Sequence, residues 1–349
     1  MSEAIIKPDT MTPKERVLGC LQGTKIDRLP SAPLILNHCS RVTGVPISTF
    51  NSNSEVMGDS HVKAFKRYGH DIPLLFTTTS TVAEAMGTKL FFPEDDAPWV
   101  DHPIVETPAD VSKVKVVDPW KDGRLPVYLK AAKHIINEIG EQVFVGCIFA
   151  APFTTASHLR GTETFIRETY KNPGLVKELL ELSKASAFAM IDALAELGVV
   201  PVIVEPVASS SLISPRQFEK FALPHLTEIV ARSHAKGMPI CLHICGKTLP
   251  IIEMMAATGA NILSVDQIDL AAAKNLVGTK TCLLGNVKPA ETLLKGTPAS
   301  VTAEVRNIIE QAGDSPKGLI ISSGCEVPFN TPPENLDALM TATRIYGQR

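Results

Sequence analysis

The 349-residue sequence has few aromatic side chains and little net charge. Phenylalanine, tryptophan and tyrosine together make up 5% of the chain, which argues against stacked platforms for nucleic-acid bases. The 34 lysines and arginines are nearly balanced by 37 aspartates and glutamates, and the basic residues are spread along the chain. The formal net charge of −3 therefore gives no electrostatic reason to expect nucleic acid or a membrane surface as a partner.

The sequence also lacks the usual marks of secretion and of membrane insertion. Its cysteines are odd in number, seven, and several lie in apolar segments, which argues against a disulfide framework. The first 17 residues are polar and contain no apolar signal-peptide core. No apolar run approaches the roughly 20 residues that a membrane-spanning helix needs. These absences together predict a cytoplasmic protein.

Short apolar segments alternate with longer amphipathic ones along the chain, and 44% of the residues are hydrophobic. The predicted strands are residues 31–36, 72–76, 143–149, 200–205, 239–243, 261–265, 281–285 and 318–322. The predicted helices between them include residues 55–68, 127–139, 175–197, 215–236, 249–257 and 301–312. Continuously apolar strands that alternate with helices are typical of parallel sheets covered on both faces. Eight such strands predict an α/β fold, a (β/α)8 TIM barrel.

The chain ends and linkers complete this prediction. Thr12, Pro13 and Glu15 form a helix-start pattern ahead of the first strand, which predicts an N-terminal helical extension. No glycine- or serine-rich linker divides the sequence, so residues 1–349 are predicted to form a single domain. Residues 89–122 are rich in proline and aspartate and have weak periodicity, which predicts a long excursion after the second strand.

A doubly wound open sheet is the main alternative, since it also alternates strands and helices. Many such folds carry a G-x-G-x-x-G dinucleotide fingerprint after the first strand. Here the first predicted strand leads into Asn37 and His38 without that fingerprint. The missing motif favours the barrel.

Polar residues follow most of the predicted strands. In a barrel, the carboxyl ends of the strands carry the active site. The candidates at these ends are Asn37, His38, Glu205, His243, Cys245, Asp266, Asn286 and Cys325. This shared location predicts that they line one common site.

His243, Cys245 and Cys325 form the most specific pattern among these residues. His243 and Cys245 are two positions apart at the end of a strand, so their side chains face the same way. Cys325 follows another strand after Gly324, which permits a tight turn. One imidazole and two thiols suit Zn²⁺, and three protein ligands leave one corner open for a substrate. Because no C-x-x-C pair is present, three unrelated buried residues are an equal alternative.

The other candidates have several possible roles. Glu205 and Asp266 end apolar strands and are predicted to act in catalysis, as a fourth zinc ligand or by orienting His243. The alternative for both is a salt bridge to a nearby basic residue. Asn37, His38 and Asn286 are predicted to bind the substrate, although His38 could be a core residue and Asn286 could stabilise a turn. The remaining histidines of helices and loops are predicted to lie at the surface, namely His61, His70, His102, His134, His225 and His234.

Several short segments carry a resemblance to a known family. They are Glu205-Pro206-Val207-Ala208-Ser209, Leu242-His243-Ile244-Cys245-Gly246, Gly285-Asn286-Val287, Ser323-Gly324-Cys325, Thr331-Pro332-Pro333-Glu334-Asn335-Leu336, Thr12-Pro13-Lys14-Glu15-Arg16-Val17 and Asp27-Arg28-Leu29-Pro30. At these segments the chain resembles the methylcobamide:coenzyme M methyltransferases of the uroporphyrinogen decarboxylase superfamily. The decarboxylases carry an Arg-Gln-Ala-Gly-Arg motif after the first strand, where this chain has Asn37-His38-Cys39-Ser40-Arg41. The missing arginine motif points away from decarboxylation.

The resemblance implies a zinc-dependent methyltransferase that acts in methanogenesis or one-carbon metabolism. Zinc would hold a small thiol such as coenzyme M as a thiolate, which would take the methyl group of a methylated corrinoid. Corrinoid carriers have an Asp-x-His-x-x-Gly motif, and the nearest segment here, residues 59–64, lacks the glycine. The corrinoid is therefore predicted to come from a partner protein, and residues 89–122 could form part of its docking surface.

Other functions stay open from the sequence. The methyl acceptor could be homocysteine or tetrahydrofolate, or the protein could load a corrinoid from a methylated substrate. A tetrapyrrole-binding protein related to the decarboxylases is a further alternative, as is a decarboxylase in which Arg41 replaces the missing arginines.

Overall fold

The structure, a computed structural model, describes residues 7–349. A curled sheet of seven parallel strands lies at its centre, in the order β1-β4-β5-β6-β7-β8-β9, and β2 and β3 form a separate antiparallel hairpin. The strands are β1 (Leu74–Leu75), β2 (Lys89–Phe91), β3 (Trp99–His102), β4 (Gly146–Ala150), β5 (Val200–Val204), β6 (Cys241–Ile244), β7 (Ile262–Val265), β8 (Cys282–Val287) and β9 (Leu319–Ser323). The predicted α/β fold with a parallel barrel is confirmed, with seven strands in this sheet instead of eight.

Helices follow the strands and cover the outside of the sheet. They are α1 (Pro13–Gln22), α2 (His38–Thr43), α3 (Ile47–Ser52), α4 (Ser54–Tyr68), α5 (Thr81–Ala85), α6 (Leu125–Ile139), α7 (Pro152–Arg160), α8 (Thr162–Lys171), α9 (Pro173–Leu197), α10 (Pro215–Gln217), α11 (Leu223–Ala235), α12 (Ile252–Ala257), α13 (Leu270–Val277), α14 (Pro298–Ala312) and α15 (Pro333–Tyr346). Between α10 and α11 the predicted helix 215–236 passes through a π-helical turn, Phe218–Ala222. Among residues 7–349, no helix has both the length and the apolar character needed to cross a bilayer.

The predicted N-terminal helix is present as α1. Thr12 accepts a hydrogen bond from the Glu15 backbone N–H, and the Glu15 carboxylate accepts one from the Thr12 backbone N–H. Two of the four N–H groups that a helix start leaves free are satisfied in this way.

Residues 31–36 differ from the prediction, because they form a single parallel bridge instead of a full strand. The Ala32 N–H donates to the Ile321 carbonyl, and the Ile321 N–H donates to the Pro30 carbonyl. Pro30 and Pro33 carry no N–H, so a regular ladder of hydrogen bonds cannot form here. The segment still occupies the gap between β9 and the residues before β1, and it closes the barrel.

The sheet is apolar on both faces, as parallel strands in a barrel require. On β5, Val202 and Val204 belong to the cluster inside the barrel, whereas Ile203 belongs to the larger cluster beneath the helices. The continuous apolar pattern of the predicted strands reflects this double burial.

The excursion at residues 89–122 contains the β2–β3 hairpin and a 3-10 helix, Pro108–Lys113. Phe91, Phe92 and Trp99 are about half exposed on the hairpin. Asp96 lies between the two strands, and its charge contributes to raising the pKa of Glu326 at the carboxyl end of the barrel. The hairpin tip therefore lies near the mouth of the barrel.

The prediction that six histidines lie at the surface is wrong for three of them. His61 is 1% exposed and His70 is 2% exposed, and burial lowers the pKa of both side chains. His61 lies against Cys39 and Phe50, and His225 is also buried. His61 and His225 lie on helix faces that point to the core, and His70 lies in the buried segment after α4, which a helix assignment without tertiary contacts does not reveal.

A buried ion cluster fixes the closing segment in place. Asp71 is fully buried and accepts hydrogen bonds from Arg16 at 2.5 Å, from Arg28 at 2.8 Å and from the Ser31 backbone N–H at 2.6 Å. The Asp71 N–H in turn donates to the Ser31 carbonyl. One carboxylate thus joins α1, the closing segment and the approach to β1.

We expect Asp71→Asn to lower the free energy of unfolding by about 3 kcal/mol, because the substitution removes one carboxylate partner from each of two buried guanidinium groups, which keep Asp27 and Asp9 as partners. Urea denaturation measures this loss. Asp337→Asn is the matched control, since Asp337 pairs with Arg67 at the surface and its loss costs about 1 kcal/mol or less. Equal effects of the two substitutions would contradict the role of Asp71.

Candidate metal centre

Three soft donor side chains meet at the carboxyl end of the barrel. His243 lies on β6, Cys245 follows the same strand, and Cys325 follows β9. The His243 Nε2 lies 3.0 Å from the Cys245 Sγ, and the two sulfur atoms are 3.3 Å apart. One ligand atom from each residue lies within 4.8 Å of the others. His243 is buried, whereas both cysteines are partly exposed.

Two glycines allow the loops to bring these residues together. Gly246 has φ of 71°, a left-handed conformation, and a Cβ there would lie 2.7 Å from the Ser211 Oγ. A Cβ on Gly324 would lie 2.6 Å from an Asp266 carboxylate oxygen. Both turns beside the cysteines therefore require glycine.

Ser264 orients His243. Its hydroxyl lies 2.9 Å from the His243 Nδ1, and the two residues are paired in register on β6 and β7. A hydrogen bond at Nδ1 leaves Nε2 facing the sulfur atoms, which is the arrangement found around histidine metal ligands. Ser264 was not among the predicted site residues. A serine inside the otherwise apolar β7, opposite His243, was the signal that could have identified it.

The two cysteines are free thiols, and their sulfur atoms lie within hydrogen-bond distance of each other. The interaction with Cys245 and the nearby His243 lower the pKa of Cys325 to about 4, and the interaction with Cys325 and burial raise the pKa of Cys245. Tetrahedral Zn²⁺ sites with Zn–S of about 2.3 Å and Zn–N of about 2.0–2.1 Å place their ligand atoms roughly 3.5–3.8 Å apart. The separations of 3.0 Å and 3.3 Å found here are about 0.5 Å shorter, so the chemistry of the three donors fits Zn²⁺ and the side chains would move apart slightly to hold it.

The two predicted catalytic carboxylates hold backbone groups. Glu205 is fully buried and accepts hydrogen bonds from the N–H groups of Phe153 and Thr154, at the start of α7. Burial raises the pKa of Glu205 to about 7 in spite of these hydrogen bonds. Asp266 accepts a hydrogen bond from the Gly246 N–H at 2.9 Å, and burial raises its pKa. In the described part of the chain, neither carboxylate forms a hydrogen bond with the His243 side chain.

The three predicted binding residues lie around the same end of the barrel. The His38 ring is fully buried between the Tyr68 hydroxyl and the Phe329 carbonyl, and burial lowers its pKa to about 4. The Asn286 amide donates to the carbonyls of Asp266 and Ile268. Both side chains are therefore committed to internal hydrogen bonds.

Asn37 contacts Glu326, a residue that was not among the predicted site residues. Its amide donates to the Thr77 carbonyl and to the Glu326 carboxylate. Glu326 directly follows Cys325, and burial raises its pKa to about 7. An acidic residue next to a candidate ligand was the available signal.

Two cavities meet at the metal centre. The first lies inside the barrel, has a volume of about 260 Å³ and extends from Cys245 and Cys325 down to α1. The second is an outer cleft of about 1010 Å³ between the loops after β7 and β8 and helix α14. Asp266 and Asn286 line the outer cleft, and Cys325 lines both cavities.

Comparison with known proteins identifies the family. A family description, uroporphyrinogen decarboxylase (URO-D), matches residues 12–346. The chain belongs to the URO-D family. A uroporphyrinogen decarboxylase of Aliivibrio fischeri is 26% identical over 302 residues, covering 83% of both chains.

Methyltransferases are also among the relatives within this family. The methylated-thiol–coenzyme M methyltransferase of Methanosarcina mazei is 27% identical over 345 residues and covers 96% of this chain and 89% of its own. The methylcobamide:CoM methyltransferase MtaA of Methanosarcina barkeri is 28% identical over 342 residues, with coverages of 96% and 98%. A solved structure of a methyltransferase from Methanosarcina mazei superposes with a TM-score of 0.87 at 28% identity and covers 95% of this chain and 98% of its own.

Removal of the Ser264 hydroxyl tests whether Ser264 orients His243 for metal binding. We expect Ser264→Ala to weaken Zn²⁺ binding about 10–100-fold, because the imidazole loses the partner that fixes its orientation. Competition with a chelating dye measures the affinity. Ser183→Ala, on α9 outside the barrel, should leave the affinity unchanged. Unaltered affinity in the Ser264 variant would contradict the assignment.

Proposed function

We propose that this protein transfers a methyl group from a methylated corrinoid protein to a small thiol, with Zn²⁺ held by His243, Cys245 and Cys325. The observation that carries the proposal is the convergence of one imidazole and two thiols within 4.8 Å at the barrel mouth. The related methyltransferases are named for methylated thiols, methylcobamide and coenzyme M, which supports the choice of substrates.

The donor set favours thiol chemistry. Zn²⁺ bound to these residues would keep an acceptor thiol deprotonated near neutral pH. Two cysteine thiolates already neutralise a divalent ion, so a bound sulfur would keep its electron density. A set of three neutral histidines would suit the production of hydroxide instead.

The proposed methyl transfer needs no reactant other than the thiol and the methylated corrinoid. The sulfur lone pair forms the new carbon–sulfur bond, while the carbon–cobalt bond breaks and leaves both electrons on cobalt. Co(III) becomes Co(I), and the thiol proton passes to water. A partner protein is proposed as the donor, and the burial of His61, in the segment nearest to the corrinoid motif, supports this choice.

Glu205 and Asp266 act as positioning residues in this proposal. Glu205 holds the start of α7 next to β5, and Asp266 holds the Gly246 turn that follows Cys245. Asn286 anchors the loop after β7 through two carbonyls, on the side of the outer cleft.

The position of Arg41 weighs against decarboxylation. Arg41 is exposed and donates to Asn330, and its neighbour His38 is fully buried against Tyr68. The segment that carries carboxylate-binding arginines in the decarboxylases therefore directs no cation into the barrel.

Methylcobalamin and coenzyme M provide the direct assay. We expect zinc-dependent loss of methylcobalamin, and we expect Cys325→Ala to lose bound zinc and activity together because a thiolate ligand is missing. Cys147→Ala removes a buried thiol from the outer core and should retain the metal. Activity in the Cys325 variant would remove that residue from the site, and no methyl transfer to any thiol tried would contradict the function.

Zinc X-ray absorption tests the role of the open corner. We expect two sulfur ligands in the resting protein, from Cys245 and Cys325, and a third when coenzyme M is added. The extra scatterer would be the acceptor sulfur. An unchanged sulfur count at saturating thiol, with activity present, would contradict direct coordination.

A further inference from the structure

The inside of the barrel contains a cavity that its side chains do not fill. The interior of a TIM barrel is ordinarily filled by layers of side chains. Here about 260 Å³ remains open between the strands, and Val17 and Leu21 of α1 bound the far end of this space. A void of this size between apolar side chains is costly to leave empty.

The chemistry of the lining favours an uncharged, apolar occupant. Along its length the cavity is bounded by aliphatic and aromatic side chains, such as Leu36, Phe76, Ile148 and Val202. No lysine or arginine is among the described residues that line it. Water in such a space finds few hydrogen-bond partners, whereas an apolar chain gains by leaving water.

The polar end of the cavity is the metal centre itself. His243, Cys245 and Cys325 line its upper end, beside Ser264 and Glu326. A ligand whose sulfur occupies the open corner can therefore extend its carbon chain down the barrel. Glu326 offers no cation to a sulfonate at this end.

We propose that the natural acceptor is a thiol with an unbranched apolar chain, which lies in the barrel cavity while its sulfur meets the metal. The inference rests on the methyl transfer proposed above. Coenzyme M carries a sulfonate close to its thiol, so it is a poorer acceptor here than an alkanethiol.

The inward-facing valines of β5 indicate how deep the cavity is for the carbon chain of the thiol. Val204 is paired in register with His243, and Val202 and Val200 lie one and two layers deeper. At about 3.3 Å per residue, Val200 lies roughly 13 Å below the histidine. A larger side chain at one of these positions should shorten the longest chain that fits.

The first experiment compares thiols of increasing length in the zinc-loaded protein. With methylcobalamin as donor, kcat/KM should rise about fourfold per methylene from ethanethiol to hexanethiol while the chain still fits, because each methylene leaves water. Hexanethiol should exceed coenzyme M. A flat series in which coenzyme M is the best acceptor would overturn the inference and leave the methyl transfer intact.

The second experiment blocks the cavity. In Val202→Phe, the ratio of kcat/KM for hexanethiol to that for ethanethiol should fall toward one, since the phenyl ring fills the middle of the cavity. Val116→Phe makes the same change at an exposed valine outside the cavity and should leave the ratio unchanged. An unchanged ratio in folded, zinc-loaded Val202→Phe protein would overturn the inference.

Calorimetry separates this inference from the proposed function. Binding of hexanethiol should show a more negative heat-capacity change than binding of ethanethiol, which is the signature of apolar burial, and Val202→Phe should remove the difference. If no thiol accepts a methyl group, the proposed function fails, and the binding series alone decides whether the cavity holds an apolar chain. Equal heat-capacity changes for both thiols would overturn it.

Discussion

Closure of the barrel is the constraint on which the candidate metal centre depends. Cys245 follows β6 and Cys325 follows β9, with β7 and β8 between them, so their sulfur atoms approach to 3.3 Å only because the sheet curls back on itself. The gap in the curl is closed by residues 30–36, which contain two prolines and make one bridge. The buried carboxylate of Asp71 compensates for the weak ladder by joining that segment to α1 and to the approach to β1.

The polar side chains at the carboxyl end of the barrel are of two kinds. Ser264 and Asp266 hold the ligands or their turns, whereas Asn286 and Glu205 hold the backbone of neighbouring loops. Such buried polar groups are stable only when each has a partner. The ligands are therefore held by a frame that exists before any metal binds, which reduces the reorganisation that binding requires.

Features that depend on the residue pattern within one strand could be predicted from the sequence. Features that depend on contacts with a neighbouring strand or with the core could not. The apolar strands β4 to β9 and the pairing of His243 with Cys245 follow from local periodicity, which a sequence displays. The partner of His243 depends on the register between β6 and β7, so Ser264 was missed. His61 and His225 were placed at the surface because a helix pattern alone does not say which polar residue faces the core.

The positions of the two cavities bear on the chemistry of transfer. Cys325 lies on the wall between an apolar space inside the barrel and a polar cleft outside it. In the methyl transfer proposed above, the nucleophile and the leaving group must lie on opposite sides of the methyl carbon, so the corrinoid and the thiol would approach from different directions. The outer cleft is lined by amides, acids and Lys288, whereas the inner cavity is lined mostly by apolar side chains. The two cavities would therefore suit the two proposed reactants, with the corrinoid on the polar side and the thiol on the apolar side.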